Sequence, residues 1–314
     1  MNITLLDAAT LADTPLDTLQ QIGSLTCYAL TNTEDRVKHC QGAEVIITNK
    51  VVIDAHLMAQ LTDLKLICVA ATGTNNIDLQ AAKKHNIAVT NVAGYSTPAV
   101  VQHTFALITN LLGNTHRYIR DCQQGQWQQS PMFCRLDYSI SEISGKTLAI
   151  IGYGSLGKAV AEVARAFGAK VIISERKGLT PRADRYDFAE VIRSADIISV
   201  HCPLNEETRD LIAAAELAMM KPSAIIINTA RGGIINEADL SDALTRQQIA
   251  GAGIDVLSQE PAQPSNPLAC YKGDNLLLTP HIAWASKESI ARLVNEIALN
   301  INAFKQNKIR NRLV

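Results

Sequence analysis

Along the first hundred positions apolar residues come in short runs separated by amphipathic stretches. Runs at 3–6, 27–30, 45–48, 64–70 and 87–90 have strand length, whereas 55–61 and 79–85 repeat their apolar residues at helical spacing. Such alternation predicts a parallel sheet covered on both faces. Positions 97–112 read as a long, strongly apolar helix with Pro98 in its first turn. Positions 124–137 are polar, carry Trp127, Pro131 and Phe133, and read as an irregular arm. The alternation restarts at Lys146, with strands expected at 147–151, 171–174, 197–200, 224–227, 251–256 and 276–278. That is the strand count of a full dinucleotide-binding sheet. Ile290, Leu293, Val294, Ile297, Ala298 and Ile301 fall on one face of a closing helix over 288–304, expected to return to the first half. The pattern therefore predicts an α/β protein of two doubly wound parallel-sheet domains. One is expected from 1–99 with 286–314, the other from 100–285, with a cleft between them that closes over a ligand.

Composition narrows the class. Hydrophobic residues make up 47% and charged residues 19% of the 314, the balance of a globular protein. A net charge of −1 with no basic block points away from nucleic acid and from anionic membranes. No apolar stretch approaches the roughly 18 residues of a membrane span. The N-terminal residues lack the basic region and apolar core of a signal peptide. The seven cysteines are scattered, form no CxxC pair and have no zinc-ligand spacing with histidine. They read as reduced thiols of a cytoplasmic protein that needs no metal.

The first chemistry lies in KTLAIIGYGSLGKAVAEVARAFGAKVIISERKG. A buried-strand run is followed by Gly152, Gly154 and Gly157 in GxGxxG spacing, then by a helical repeat, and in that context the motif is specific. Gly152 permits the turn, Gly154 lets a pyrophosphate approach the backbone, and Gly157 lets helix and strand pack closely. The amides of Ser155 and Leu156 open the helix and attract phosphate. Glu175 ends the following strand, where a carboxylate accepts from a ribose diol and repels a 2′-phosphate, favouring NAD. Arg176 and Lys177 come directly after it and can serve a 2′-phosphate, which leaves NADP open.

Ligands of open α/β sheets bind beyond the carboxyl ends of the strands. Three later strands end in NTARGG, SQEP and TPH, carrying Arg231, Glu260 and His281. A cation, a carboxylate and an imidazole on one rim suit the reduction of a 2-keto acid. Arg231 can hold a carboxylate or carbonyl oxygen with its forked donors. His281 can deliver a proton to the carbonyl, and Glu260 can orient it from the other ring nitrogen. Cys202 and Pro203, Thr229 and Ala230, and Asp255 lie on the same rim. The first two suit the adenosine half, and Asp255 can accept from the nicotinamide amide. His103 reads as a packed helix residue.

In their order and spacing, GTNNIDLQAAKKHNIAVTNVAGYSTPAVVQHTFAL, GYGSLG, NTARGGIIN, GIDVLSQEP and TPHIAWAS resemble the D-isomer-specific 2-hydroxyacid dehydrogenases over nearly the whole chain. Within that family the chain is most similar to glycerate dehydrogenases, also called hydroxypyruvate reductases, through GQWQQSPMFCRLDYSI and Trp284. The resemblance implies a flavodoxin-like substrate domain, a Rossmann NAD-binding domain and catalysis by Arg231, Glu260 and His281. It also implies that the amides of Thr72 and Gly73 hold a small 2-keto or 2-hydroxy acid, and that Thr104 lies near the cofactor phosphates. A homodimer formed through roughly 114–144 is implied as well. Two rival activities stay open: a 3-phosphoglycerate dehydrogenase, and a non-catalytic NAD-sensing protein related to corepressors. Intact Arg231, Glu260 and His281 argue against the second, since sensing needs no proton donor.

Overall fold

The computed structural model describes residues 1–314. The chain divides into two compact units, Met1–Ser96 with Ala285–Val314, and Thr97–Trp284.

The first unit is built on five parallel strands: β1 (Asn2–Leu5), β2 (Ser24–Cys27), β3 (Val45–Thr48), β4 (Leu66–Val69) and β5 (Ala88–Thr90), in the order β2-β1-β3-β4-β5. Every residue of β3, β4 and β5 is buried, which is why they read as continuous apolar runs. Asp54 and Asp78 cap the helices after β3 and β4, accepting from the backbone N–H groups of Leu57 and Ala81. The strand expected at 27–30 lies earlier, at Ser24–Cys27. It is the sheet edge, mostly exposed, so burial leaves little apolar signature on it, and the apolar Leu30 stands 69% exposed beyond it.

The C-terminal helix Lys287–Lys305 belongs to this unit and packs on β4 and on the short helix Asp17–Gln20. Ser286 caps it through Ser289, and Ile290, Leu293, Val294, Ile297 and Ile301 form its buried face. The chain end is tied in by Leu313 N–H, which donates to the Val89 carbonyl at 2.8 Å.

The second unit carries six parallel strands: β6 (Thr147–Ile151), β7 (Lys170–Ile173), β8 (Ile197–Val200), β9 (Ile225–Asn228), β10 (Gly251–Ile254) and β11 (Leu276–Leu278), in the order β11-β10-β9-β8-β6-β7. Successive side chains face opposite sides. Ile226 joins the core under the helices of the later half, while Ile225 and Ile227 join the core formed with the helices Thr97–Gly113 and Ser155–Ala166. Burying each such isoleucine contributes roughly 1.5–3 kcal/mol. No helix is long and apolar enough to cross a membrane.

Counted within each unit, the strands adopt the same order, second-first-third-fourth-fifth, with a sixth added in the second unit. The winding therefore reverses between the first and third strands of each. Beyond the carboxyl ends of those strands a doubly wound sheet opens a crevice. In the first unit that crevice holds a side chain of the protein itself. Asp7, 4% exposed, directs its carboxylate at the backbone N–H of Asn49 at 2.9 and 3.0 Å and of Lys50 at 2.7 Å. Asp7→Ala strands those two donors. Urea unfolding is expected to show a loss of roughly 1–3 kcal/mol, the cost of leaving such groups unmet; an unchanged midpoint and slope would contradict this.

Candidate active site

The equivalent crevice in the second unit lies between the ends of β6 and β8, and glycine keeps it open. Gly152 comes directly after β6 at φ +96°, where a side chain would be strained, and a Cβ there would sit 2.5 Å from the backbone N of Cys202. The turn can therefore lie against the segment after β8 only as glycine. A Cβ on Gly157 would strike the Gly152 carbonyl oxygen and the Ile150 side chain. In front of Gly154 nothing lies within 4 Å. Gly154 is also the N-cap of the helix Ser155–Ala166, with no side chain capping it. The amides of Ser155 and Leu156 donate to no protein acceptor, as a bound pyrophosphate requires. Ser155 and Pro203 are exposed and Leu156 and Cys202 half-buried around this cradle, whose shape fits a dinucleotide. Burial pushes the Cys202 thiol up to about 11, so it is a neutral wall residue and not a nucleophile.

The three residues expected to carry the chemistry come after β9, β10 and β11. Their last residues, Asn228, Ile254 and Leu278, are in register across the sheet. Arg231, Glu260 and His281 extend beyond that common row. Glu260 Oε2 lies 2.6 Å from His281 Nδ1, and its Oε1 accepts from Leu257 N–H at 2.9 Å. A carboxylate only accepts, so Nδ1 carries the hydrogen and Nε2 is left to meet a substrate. The pair is partly open to solvent, at 34% and 25% side-chain exposure. Arg231 donates to the Ala230 carbonyl at 2.7 Å, and no carboxylate pairs with it. Its turn is closed by Asn228, which accepts from Ala230 N–H and donates to the Arg231 carbonyl. A side chain at Gly232 would overlap Leu257, so this turn lies against the very loop that presents Glu260.

Asp255, expected as a nicotinamide contact, is also held by donors of the protein. Its side chain has no solvent exposure. It accepts from Thr279 Oγ1 at 2.5 Å and from the N–H groups of Ile282 and Ala283 at 3.0 and 2.9 Å. His281 N–H donates to the Asp255 carbonyl at 2.8 Å. Asp255 therefore anchors the loop that carries His281. The anchoring offsets a local cost, because His281 sits at φ +55°, a left-handed conformation that costs a side-chain-bearing residue roughly 1–2 kcal/mol. His103 adds a brace from the long helix. The single hydroxyl proton of Thr279 goes to Asp255, so His103 Nε2 donates to Thr279 Oγ1 at 3.0 Å. Nothing in the sequence pattern marks Thr279 or His103 for this task, since their partners are distant in the chain.

Two further residues expected near the cofactor have partners within the protein. Thr104 has no exposed surface, and its hydroxyl bonds that of Thr229 at 3.1 Å. The two buried hydroxyls join the long helix to the end of β9, and Ala230 is buried beside them. The Glu175 carboxylate, which the sequence reserves for a ribose, is 3% exposed and held by Arg182 at 2.6 and 2.7 Å. Arg182 lies in a loop with no motif and was not legible in the sequence. In the first unit, Thr72 and Gly73 lie just past β4. Thr72 Oγ1 donates to the Val92 carbonyl at 3.0 Å and its carbonyl accepts from Asn91, while the N–H groups of both residues have no protein acceptor.

Residues 105–283 match the family model described as D-isomer specific 2-hydroxyacid dehydrogenase, NAD binding domain. The chain is 42% identical to a glycerate dehydrogenase of Methylorubrum extorquens, over 88% of each chain. It is 34% identical to a hydroxypyruvate reductase of Blautia hydrogenotrophica, over 97% of each. Among solved structures, the TT0316 protein of Thermus thermophilus superposes with a TM-score of 0.89 at 29% identity, covering 100% of both chains.

The wall of the dinucleotide crevice also contains His201. Its Nε2 lies 2.8 Å from Ser199 Oγ, and its Nδ1 is sealed from solvent without a partner. Burial lowers its pKa from 6.5 to about 4. Between those values the unfolded chain binds a proton that the folded chain refuses. Stability should therefore fall as pH drops from about 6.5 to about 4. Urea midpoints across that range should fall less steeply for His201→Asn than for the natural protein; parallel curves would contradict a buried neutral imidazole.

Proposed function

Because the chain belongs to the D-isomer-specific 2-hydroxyacid dehydrogenases and uses NAD, we propose that it reduces hydroxypyruvate to D-glycerate, and glyoxylate to glycolate, through His281, Glu260 and Arg231. The observation that carries this reading is the 2.6 Å contact between His281 Nδ1 and Glu260 Oε2, past the same row of strand ends that Arg231 follows. The names of two relatives, a glycerate dehydrogenase and a hydroxypyruvate reductase, support the choice of substrate.

Bound NADH supplies the hydride that converts the keto carbon to a carbinol. The chain's own residues do the rest. Arg231 polarises the carbonyl with two forked donors, which a point charge cannot imitate. Protonated His281 gives the Nε2 proton to the carbonyl oxygen as negative charge develops there. Glu260 holds the imidazole in the orientation that points Nε2 outward and stabilises its charged form before transfer. In the oxidative direction the same imidazole, now neutral, accepts the hydroxyl proton.

The protein is proposed to act in the cytoplasm as a homodimer joined through residues 114–144. Support comes from the apolar residues this segment leaves in solvent: Trp127, Met132, Leu136, Ile140 and Phe133, the last 92% exposed. A monomer seldom exposes so many large apolar side chains within one short segment. Phe133→Asp with Leu136→Asp should convert a dimer to a monomer in sedimentation analysis. A monomeric natural protein would end this part of the reading.

The activity is tested by following NADH absorbance with a panel of 2-keto acids. Hydroxypyruvate or glyoxylate should give the highest kcat/KM; activity on neither, or on a phosphorylated acid alone, would overturn the substrate assignment. His281→Ala should lower kcat about 10²–10⁴-fold, the usual contribution of a positioned acid. Near-normal turnover in that variant would remove His281 from the mechanism.

A further inference from the structure

The end of β7 holds an arrangement that the hydride-transfer chemistry does not use. In a dinucleotide-binding sheet, the acidic residue here discriminates between cofactors in two ways. Its oxygens accept from the ribose hydroxyls, and its charge repels a 2′-phosphate. Glu175 has the right place and the wrong surroundings. Its Oε1 accepts from Arg182 Nη2 at 2.7 Å and from Arg176 N–H at 3.0 Å. Its Oε2 accepts from Arg182 Nε at 2.6 Å and from Arg182 N–H at 3.4 Å. Four donors of the protein thus occupy the carboxylate, two of them from one guanidinium fork, a short and strong pairing.

Both halves of the discrimination are weakened. An occupied carboxylate has little capacity left for a diol. A guanidinium in direct contact cancels most of the field that would repel phosphate. The Arg182 bonds also hold the Glu175 carboxyl down to about 2, so it stays charged and paired at any working pH. Meanwhile the cation that does the masking is itself in solvent, with the Arg182 side chain 62% exposed. Arg176 beside it is 74% exposed, and its nearest acidic oxygen, on Glu207, is 4.0 Å away. Arg185 lies on the same side, donating to the Ser174 carbonyl at 3.2 Å with its guanidinium 5.6 Å from the Tyr153 ring of the glycine loop. Lys177 is spoken for by Glu216 at 2.8 Å and does not add to the free charge. The four cations here are matched by four carboxylates, of Glu175, Asp184, Glu207 and Glu216, so the ribose end carries no net negative charge to repel a phosphate.

We infer that Arg182 is the residue that sets cofactor preference in this protein, masking Glu175 so that NADPH is bound nearly as well as NADH, with its fork available to the 2′-phosphate. Arginine suits the exchange because carboxylate and phosphate present similar paired oxygens to the fork. The inference goes beyond the NADH-dependent reaction proposed above and rests only on the chain binding a dinucleotide.

The test is a binding titration that needs no turnover. Quenching of protein fluorescence, or enhancement of nicotinamide fluorescence, gives the Kd of NADH and of NADPH for the natural protein, Arg182→Gln and Glu175→Gln. The natural protein should bind NADPH within about tenfold of NADH, less than the 1.4 kcal/mol that a factor of ten represents. Arg182→Gln should uncover the carboxylate and weaken NADPH at least tenfold more than NADH. Glu175→Gln should shift the ratio the other way. Arg182→Lys retains the charge without the fork and should fall between the natural protein and Arg182→Gln. A natural protein that prefers NADH more than a hundredfold, or a ratio unchanged by Arg182→Gln, would overturn the inference while leaving the 2-keto acid reading intact. Failure of both nucleotides to bind would overturn the dinucleotide site itself, and this inference with it.

Discussion

The candidate active site is organised around the buried carboxylate of Asp255. An isolated charge in that position would be strongly unfavourable, so its oxygens must be met by donors. The donors come from one loop: the Thr279 hydroxyl and the N–H groups of Ile282 and Ala283. Satisfying the charge therefore folds the loop, and folding the loop puts His281 into its left-handed conformation with Nδ1 against Glu260. The geometry of His281 against Glu260 is here the consequence of a desolvation requirement. His103 extends the same network to the long helix Thr97–Gly113, so that helix and Asp255 are linked through two side-chain hydrogen bonds.

The two units show how one winding order serves different ends. Each sheet reverses its winding between its first and third strands, and each crevice must be filled or left for a ligand. In the first unit Asp7 fills it with a carboxylate bonded to Asn49 and Lys50. In the second, the glycine turn after β6 leaves room in front of Gly154. A dinucleotide pyrophosphate and the Asp7 carboxylate are thus alternative answers to the same need of backbone donors. The anion comes from the chain in one case and from the cofactor in the other.

Most of the architecture was legible in the chain. β3, β4, β8 and β9 are buried along their whole length, and such strands appear as uninterrupted apolar runs. The glycine turn was legible because it combines a strand, three glycines and a helix at fixed spacing. β2 was misplaced by three residues because an exposed edge strand has no burial pattern to reveal it. Arg231, Glu260 and His281 were legible because each comes after a strand end, and sequence order alone determines which residues follow each strand.

The layers, the glycine cradle and the chemical types at the strand ends are written in the chain, because local periodicity and short-range spacing set them. Tertiary contacts alone determine which polar groups are spent on the protein and which are left for a ligand. Asp255, Thr104 and Glu175 all read as ligand contacts along the chain, and the fold also gives each a partner of its own: Thr279, Thr229 and Arg182. A hydrogen-bonding group announces its chemistry through its residue type. Whether that capacity remains free depends on what folding brings within about 3 Å of it, and no pattern of neighbours in sequence contains that information.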